Sequence, residues 1–267
     1  MGDTASGRGR TRMIMRPVRK TRESVPPEER ETRASAERET PETDYHVFRD
    51  TAIRDEWHFR GDGKEAVDFF RSNSNYDELI RSMNGKDRTA FQDIWVPGHF
   101  MYGQMYNGFD SLDSSEKDAV RSYDKIIDQS VIREAFVVRR QATAEFLLGK
   151  GNKTPRSLEQ LQALQGKTVT STANMSTAAA GRGLAIGSPS SKSIEYVMKF
   201  PANTRGAGMW IGDTRINRFG VQQREFMTNR DIKFRIGQTT YNPSTRKYEV
   251  ELIYEGRNEH DYGRSRR

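Results

Sequence analysis

Apolar residues follow two rhythms along this chain, after a stretch that has almost none. Residues 1–44 hold Met13, Ile14, Met15 and Val18 and little else apolar. A segment that cannot bury surface cannot offset its ordering entropy, so this one is expected to stay disordered. Core material begins at Tyr45 with Val47, Phe48, Ile53, Trp57 and Phe59. Ala66, Val67, Phe69 and Phe70 then form a helical stripe. Ser74 or Asn75 is placed to cap a second helix carrying Leu79, Ile80 and Met83, with Gly85 past its end. The aromatic-rich connection from Phe91 to Phe109, with Trp95, Phe100, Tyr102 and Tyr106, reads as ordinary core rather than a stacking platform. Asp113 to Glu116 has capping-box spacing, ahead of a helix with Ala119, Val120, Tyr123, Ile126 and Ile127. Phe136-Val137-Val138-Arg139 reads as a short buried strand ending in a cation. Ser157 to Gln160 opens a short helix with Leu158, Leu161 and Leu164, stopped by Gly166.

Past Gly166 the period drops from 3.6 to 2. Ile194, Tyr196, Met198 and Phe200 alternate with Glu195, Val197 and Lys199. Further strands carry Met209 and Ile211, then Phe226 and Met227, then Ile232, Phe234 and Ile236, then Tyr248, Val250, Leu252 and Tyr254. Pro201, Gly206, Gly212, Gly220 and Pro243 punctuate them. Helices first and strands after predict an α+β fold.

Composition narrows the chemistry. The chain has 267 residues, 34% hydrophobic and 30% charged, with mean hydropathy −0.88. No apolar run reaches the roughly 18 residues of a membrane span, and no apolar h-region follows the basic N-terminus, so neither membrane nor signal peptide is expected. Cysteine is absent, which removes thiolate nucleophiles, disulfides and sulfur-ligated metals. The four histidines, His46, His58, His99 and His260, include no pair at helical ligand spacing. Neither a histidine metal site nor a Ser-His-Asp triad is expected. Net charge is +7; residues 1–44 hold ten Lys+Arg and nine Asp+Glu, so the excess lies mostly beyond them. The tail splits into a basic block, Arg8 to Arg22, and an acid-rich one, Glu23 to Asp44. A soluble basic domain with a polyampholyte tail is the plainer reading than dedicated nucleic-acid binding.

Familiar nucleotide motifs fail on spacing. Gly181-Arg182-Gly183-Leu184-Ala185-Ile186-Gly187 is not the dinucleotide fingerprint and joins no clear strand to a long helix. Gly166-Lys167-Thr168 lacks the upstream glycine of a phosphate loop. A different set stands out in order: Arg139 at a strand end, Met175-Ser176-Thr177, then Gln223-Arg224-Glu225-Phe226-Met227 opening a strand. This series resembles the ADP-ribosyltransferase exoenzymes, with their Arg, Ser-Thr-Ser triplet and Glu-x-Glu or Gln-x-Glu motif. The resemblance extends over roughly 111–256. Ser115 to Ile127 is similar to the helix before the family's first strand, and Leu161 to Val169 to the approach to the triplet. Glu195 to Gly212 resembles its strand–Pro–turn–strand, and Glu225 to Ile236 its catalytic strand and the next. Three departures stand: Arg140 where glycine is common, Asn174 before the triplet, and Ala178 as its third residue. Arg139 and Arg140 both remain open as the anchoring arginine, Arg139 following Val137-Val138 directly. A rival triplet, Thr170-Ser171-Thr172, sits nearer Gly166 than the family's spacing.

The resemblance implies an enzymatic core at 111–257 of two packed antiparallel sheets with an NAD cleft between them, while the residue pattern alone gives a helical lobe at 45–110 and a basic end at 258–267. The resemblance also implies NAD as co-substrate, without metal, and mono-ADP-ribosyl transfer by a toxin or phage-associated effector, in the cytoplasm, delivered into a target cell, or packaged in a phage particle. Glu225 would oppose the positive charge that builds on the ribose as nicotinamide leaves. Arg139 or Arg140 would hold NAD with a rigid fork. Ser176 would brace the glutamate, with Thr177 beside it at the NAD. Gln223, two residues before Glu225 and so on the same strand face, would address the acceptor. A Gln-x-Glu motif implies an acceptor other than arginine; protein is expected ahead of nucleic acid. A non-catalytic structural or nucleic-acid-binding protein on the same scaffold and an NAD glycohydrolase are the alternatives.

Overall fold

The structure is a computed structural model that describes residues 43–55, 57–95, 108–185, 193–212, 216 and 220–260. Most of the expected tail, much of the aromatic connection and the end from 261 lie outside the described residues. The first apolar stripe forms α1 (Lys64–Asn73), burying Ala66, Phe69 and Phe70. The second forms α2 (Tyr76–Ser82). Ser74 Oγ accepts from Tyr76 N at 3.2 Å at its start, while the Asn75 side chain reaches across the chain to Gln129 O and Val131 N. Gly85 does not close this helix but opens α3 (Gly85–Trp95), which takes up the start of the expected aromatic connection. The capping box at Asp113 and Glu116 is present in both directions and starts α4 (Ser114–Ile127), which buries Val120, Tyr123, Ile126 and Ile127. Two short helices follow, α5 (Glu145–Leu148) and α6 (Leu158–Gln162).

The long alternating segments become β5 (Phe136–Ala142), β8 (Ile194–Phe200), β10 (Gly208–Trp210), β11 (Glu225–Thr228), β12 (Ile232–Asn242) and β13 (Lys247–Arg257). β5 runs three residues beyond Arg139, where the sequence pattern alone would end it. Shorter strands complete the set: β1 (His46–Val47), β2 (Ile53–Asp55), β3 (His58–Phe59), β4 (Val131–Ile132), β6 (Thr168–Ser171), β7 (Ser176–Ala178) and β9 (Thr204–Arg205).

The expected pair of antiparallel sheets takes another form. Nine strands make one hydrogen-bonded sheet in the order β10-β11-β7-β5-β8-β13-β12-β6, with β1 also on β5. It is mixed, since β8–β13 and β1–β5 run parallel. Two wings meet at a single residue pair, Arg139↔Ala178. Residues 229–231 carry the chain from β11 in one wing to β12 in the other, and 172–175 likewise join β6 in one wing to β7 in the other. Links that short require the sheet to fold back on itself. Ring contacts show the interior: Phe226 lies 5.2 Å from Phe136 and 5.6 Å from Phe200, and Phe200 lies 5.8 Å from Phe234. Phe70 of α1 stacks on Phe226 and Trp210, so the helical lobe and the sheet share one core.

Candidate active site

The site grows from the joint between the wings. Strand register pairs Arg139 with Ala178 and Ala178 with Glu225, so β5, β7 and β11 place these residues in one row. Directly opposed residues point to the same side of a sheet, so Arg139 and Glu225 share a face. Phe226, one residue on, takes the opposite face and fills the core. Ser176, two residues before Ala178, also lies on the Glu225 face, and its Oγ donates to Glu225 Oε1. Glu225 is 2% exposed. Asn174 Nδ2 donates to Thr228 O at 2.9 Å, and Met175 N to Thr228 Oγ1 at 2.9 Å, fixing the triplet against β11.

The remaining expected residues divide. Thr177 faces the core side and donates to Phe226 O at 2.5 Å, so its hydroxyl is held by the neighbouring strand. Arg140 donates to the backbone O of Ser176 at 2.7 Å. Arg139 lies 3.8 Å from Glu195 Oε1, and its Nε is buried without a partner. Ser171 of the rival triplet lies on β6, paired with β12, and donates to Ala173 O. Gln223 is not on the strand. It ends a 3-10 turn, Gly220–Gln223, and Arg224 has a left-handed φ of 50° before β11 begins at Glu225. Strand alternation therefore does not relate Gln223 to Glu225.

Two further charged residues, Glu195 and Arg182, join Arg139 here. Glu195 on β8 opposes Gln141 in the register and receives Gly183 N at 2.7 Å. Burial pushes its carboxyl up from the ordinary range, while the Gly183 N–H, Arg139, Gln141 and Arg182 pull the other way. Arg182 has a buried Nε without a partner. The glycines flanking it were the available signal. A Cβ on Gly183 falls 2.7 Å from Gln141 N and 2.8 Å from the Arg140 backbone, and one on Gly181 falls 2.7 Å from Thr51 Cγ2 and 3.1 Å from Phe48 O. At Gly183 so close an approach to the β5 backbone admits only glycine. Among the described residues no group of three or more His, Asp or Glu is arranged to hold a metal, and no helix is long and apolar enough to cross a membrane.

The folded mixed sheet has counterparts among solved structures. No family model matches this chain, and no curated protein matches it. Solved structures do. C3stau2 from S. aureus, solved with NAD, superposes with a TM-score of 0.61 at 14% identity over 80% of this chain and 100% of that one. An ADP-ribosyltransferase from Clostridium botulinum gives 0.56 at 14% identity, covering 77% and 99%. An ADP-ribosylating toxin of a binary enterotoxin of C. perfringens, solved with NADH, gives 0.58 at 12% identity, covering 74% of this chain and 49% of that one. The chain therefore has the α+β fold of bacterial ADP-ribosyltransferase toxins.

Proposed function

We propose that this protein cleaves NAD and transfers ADP-ribose to an acceptor. The observation that carries the reading is the row Arg139–Ala178–Glu225, with Ser176 hydrogen-bonded to the glutamate, on a fold shared with ADP-ribosylating toxins. Similar structures solved with NAD and NADH support the co-substrate. The residues suit it: a guanidinium with a spare buried donor on the same sheet face as the glutamate fits an anionic, hydroxyl-rich ligand. In this reading Arg139 holds NAD, and Arg140 holds the backbone of β7. Glu225 presents its charge to the ribose carbon that becomes electron-poor as the bond to nicotinamide breaks. A buried carboxylate does this better than a solvated one. Ser176 keeps that carboxylate in place. Gln223, neutral and next to the strand, addresses the acceptor, and an uncharged amide suits a nucleophile that is itself uncharged.

The test uses NAD labelled in its adenylate half, incubated with the full chain and cell lysate, then split between protease and nuclease. Protease-sensitive label is the expected result. Nuclease-sensitive label moves the acceptor to nucleic acid, and nicotinamide release without label reduces the activity to hydrolysis. Neither label nor nicotinamide refutes the reading.

A further inference from the structure

We propose that Arg224, the middle residue of Gln223-Arg224-Glu225, is a positioning residue that ties the Glu225 strand to residues 50–63. The proposal rests on the function above and adds a strut to its site. The Arg224 side chain is 1% exposed although it carries a full charge. Nη2 meets Asp50 Oδ2 at 2.9 Å and Nε meets the same oxygen at 3.2 Å. Nη2 also donates to Arg60 O at 2.5 Å, and Nη1 to Val221 O at 2.6 Å. The guanidinium lies over the Phe59 ring, 5.6 Å from its centroid. A planar fork reaches a carboxylate and two carbonyls together, which a lysine ammonium cannot do in the same geometry.

The backbone explains why this side chain bears on Glu225. Arg224 sits at φ 50°, a conformation uncommon outside glycine that persists where the surroundings determine it. Its carbonyl accepts from Ala179 N at 2.8 Å, the bond that starts the β7–β11 pairing just before Glu225. Asp50 works on both sides of the site. Its carboxylate takes Arg224, and its backbone O accepts from Gly181 N at 2.9 Å in the loop that leads to Arg182. Gly63, at the N-cap of α1, leaves room for the strut, since a Cβ there would fall 2.7 Å from Arg224 Nε and 2.5 Å from Val221 Cγ2. Phe59 also packs with Ala178 and Ala180, so the β2–β3 hairpin rests on the middle residue of the site's row. A buried charge left without its partner is strongly destabilising, so the pair acts as one unit.

The test compares the full-length wild type with Arg224→Lys and Asp50→Asn. Asp50→Asn is the gentler change, since Asp50 is partly exposed. Amide hydrogen exchange is read at 220–228 and across β12 and β13, alongside kcat and KM for nicotinamide release. The expected result is exchange faster by about tenfold at 220–228 with β12 and β13 unchanged. The kcat should fall by about tenfold or more while KM stays within about threefold. Unchanged exchange at 220–228, or faster exchange throughout the sheet with kcat per folded molecule kept, overturns the strut. Wild type that releases no nicotinamide overturns the proposed function instead. The exchange comparison then decides the strut alone, which stands only if 220–228 loosens selectively.

Discussion

At the scale of single residues, the two neighbouring arginines separate by what they touch. Arg139 shares a face with Glu225 and keeps a spare buried donor, whereas Arg140 spends a donor on Ser176 O. Arg139→Lys should therefore weaken NAD affinity by about tenfold or more, the worth of one hydrogen bond to a charged group, as read by calorimetric titration. Arg140→Lys can still reach a carbonyl and should change affinity less than threefold, by about 0.6 kcal/mol or less. A larger loss in Arg140→Lys would exchange their roles. Arg139, Ser176 and Glu225 stood out through the order of their motifs along the chain and its resemblance to the exoenzymes, and strand register then brings them to one face. Glu195 did not stand out, because on an alternating strand it looks like any solvated glutamate. Only the fold shows it turned toward Arg139 and 5% exposed.

At the scale of elements, long amphipathic segments were legible and short strands were not. α1, α4, β8, β12 and β13 have enough turns or alternations to show their period. Strands of two to four residues such as β1, β6 and β7 have none to show, and their pairing partners form them. The same limit hid the 3-10 turn that takes Gln223 off the strand, because a positive φ at arginine has no mark in sequence. Two predictions belong here. Asp113→Ala removes the capping box of α4 and should cost about 1 kcal/mol in a urea unfolding experiment, with nicotinamide release per folded molecule unchanged. Gly183→Ala places a methyl within 2.8 Å of the β5 backbone. It should cost about 1–3 kcal/mol and also weaken NAD binding, since the loop it displaces donates through Gly183 N to Glu195, the carboxylate facing Arg139. Full affinity in a destabilised Gly183→Ala would separate that loop from the site.

At the scale of the whole molecule, the folded sheet depends on the short link between its wings. Asn229 and Arg230 in that link are anchored to α4. Arg230 Nε and Nη2 reach Asp124 Oδ2 at 3.0 and 2.7 Å, and Asn229 Nδ2 reaches Asp128 at 3.0 Å. The buried His260 side chain joins the same cluster, facing Asp128 at 3.1 Å, Asp231 at 3.3 Å and Asp124 at 3.8 Å, with Arg257 and Arg230 nearby. Burial pulls the imidazole down, but bonds to Asp128 and Asp231 and the Asp124 charge outweigh it, raising its pKa above the ordinary 6.5. Burial likewise raises Asp128, but His260, Arg257 and Asn229 outweigh it, leaving it below the ordinary 3.8. The His260 contribution is complete below pH 6.5 and is lost as pH rises through the raised value. The Asp128 contribution is complete above pH 3.8 and is lost as pH falls through the lowered one. Melting temperature should therefore fall as pH rises above about 6.5 in the wild type and less so in His260→Gln. Parallel curves would remove His260 from the account. None of this cluster was legible, because it gathers residues from α4 and its cap, the wing link, and the end of β13 with the residues after it.

The central claim is that Glu225, held by Ser176 in a row with Arg139, carries NAD cleavage on this fold. Nicotinamide release from NAD, followed for the wild type and Glu225→Gln at equal concentrations of folded protein, tests it most directly. The substitution keeps size and hydrogen bonding and removes only the charge. The account predicts measurable release by the wild type and a loss on the order of a hundredfold or more in the variant, with an unchanged melting temperature. Equal release by the two proteins, or none by the wild type, would contradict it.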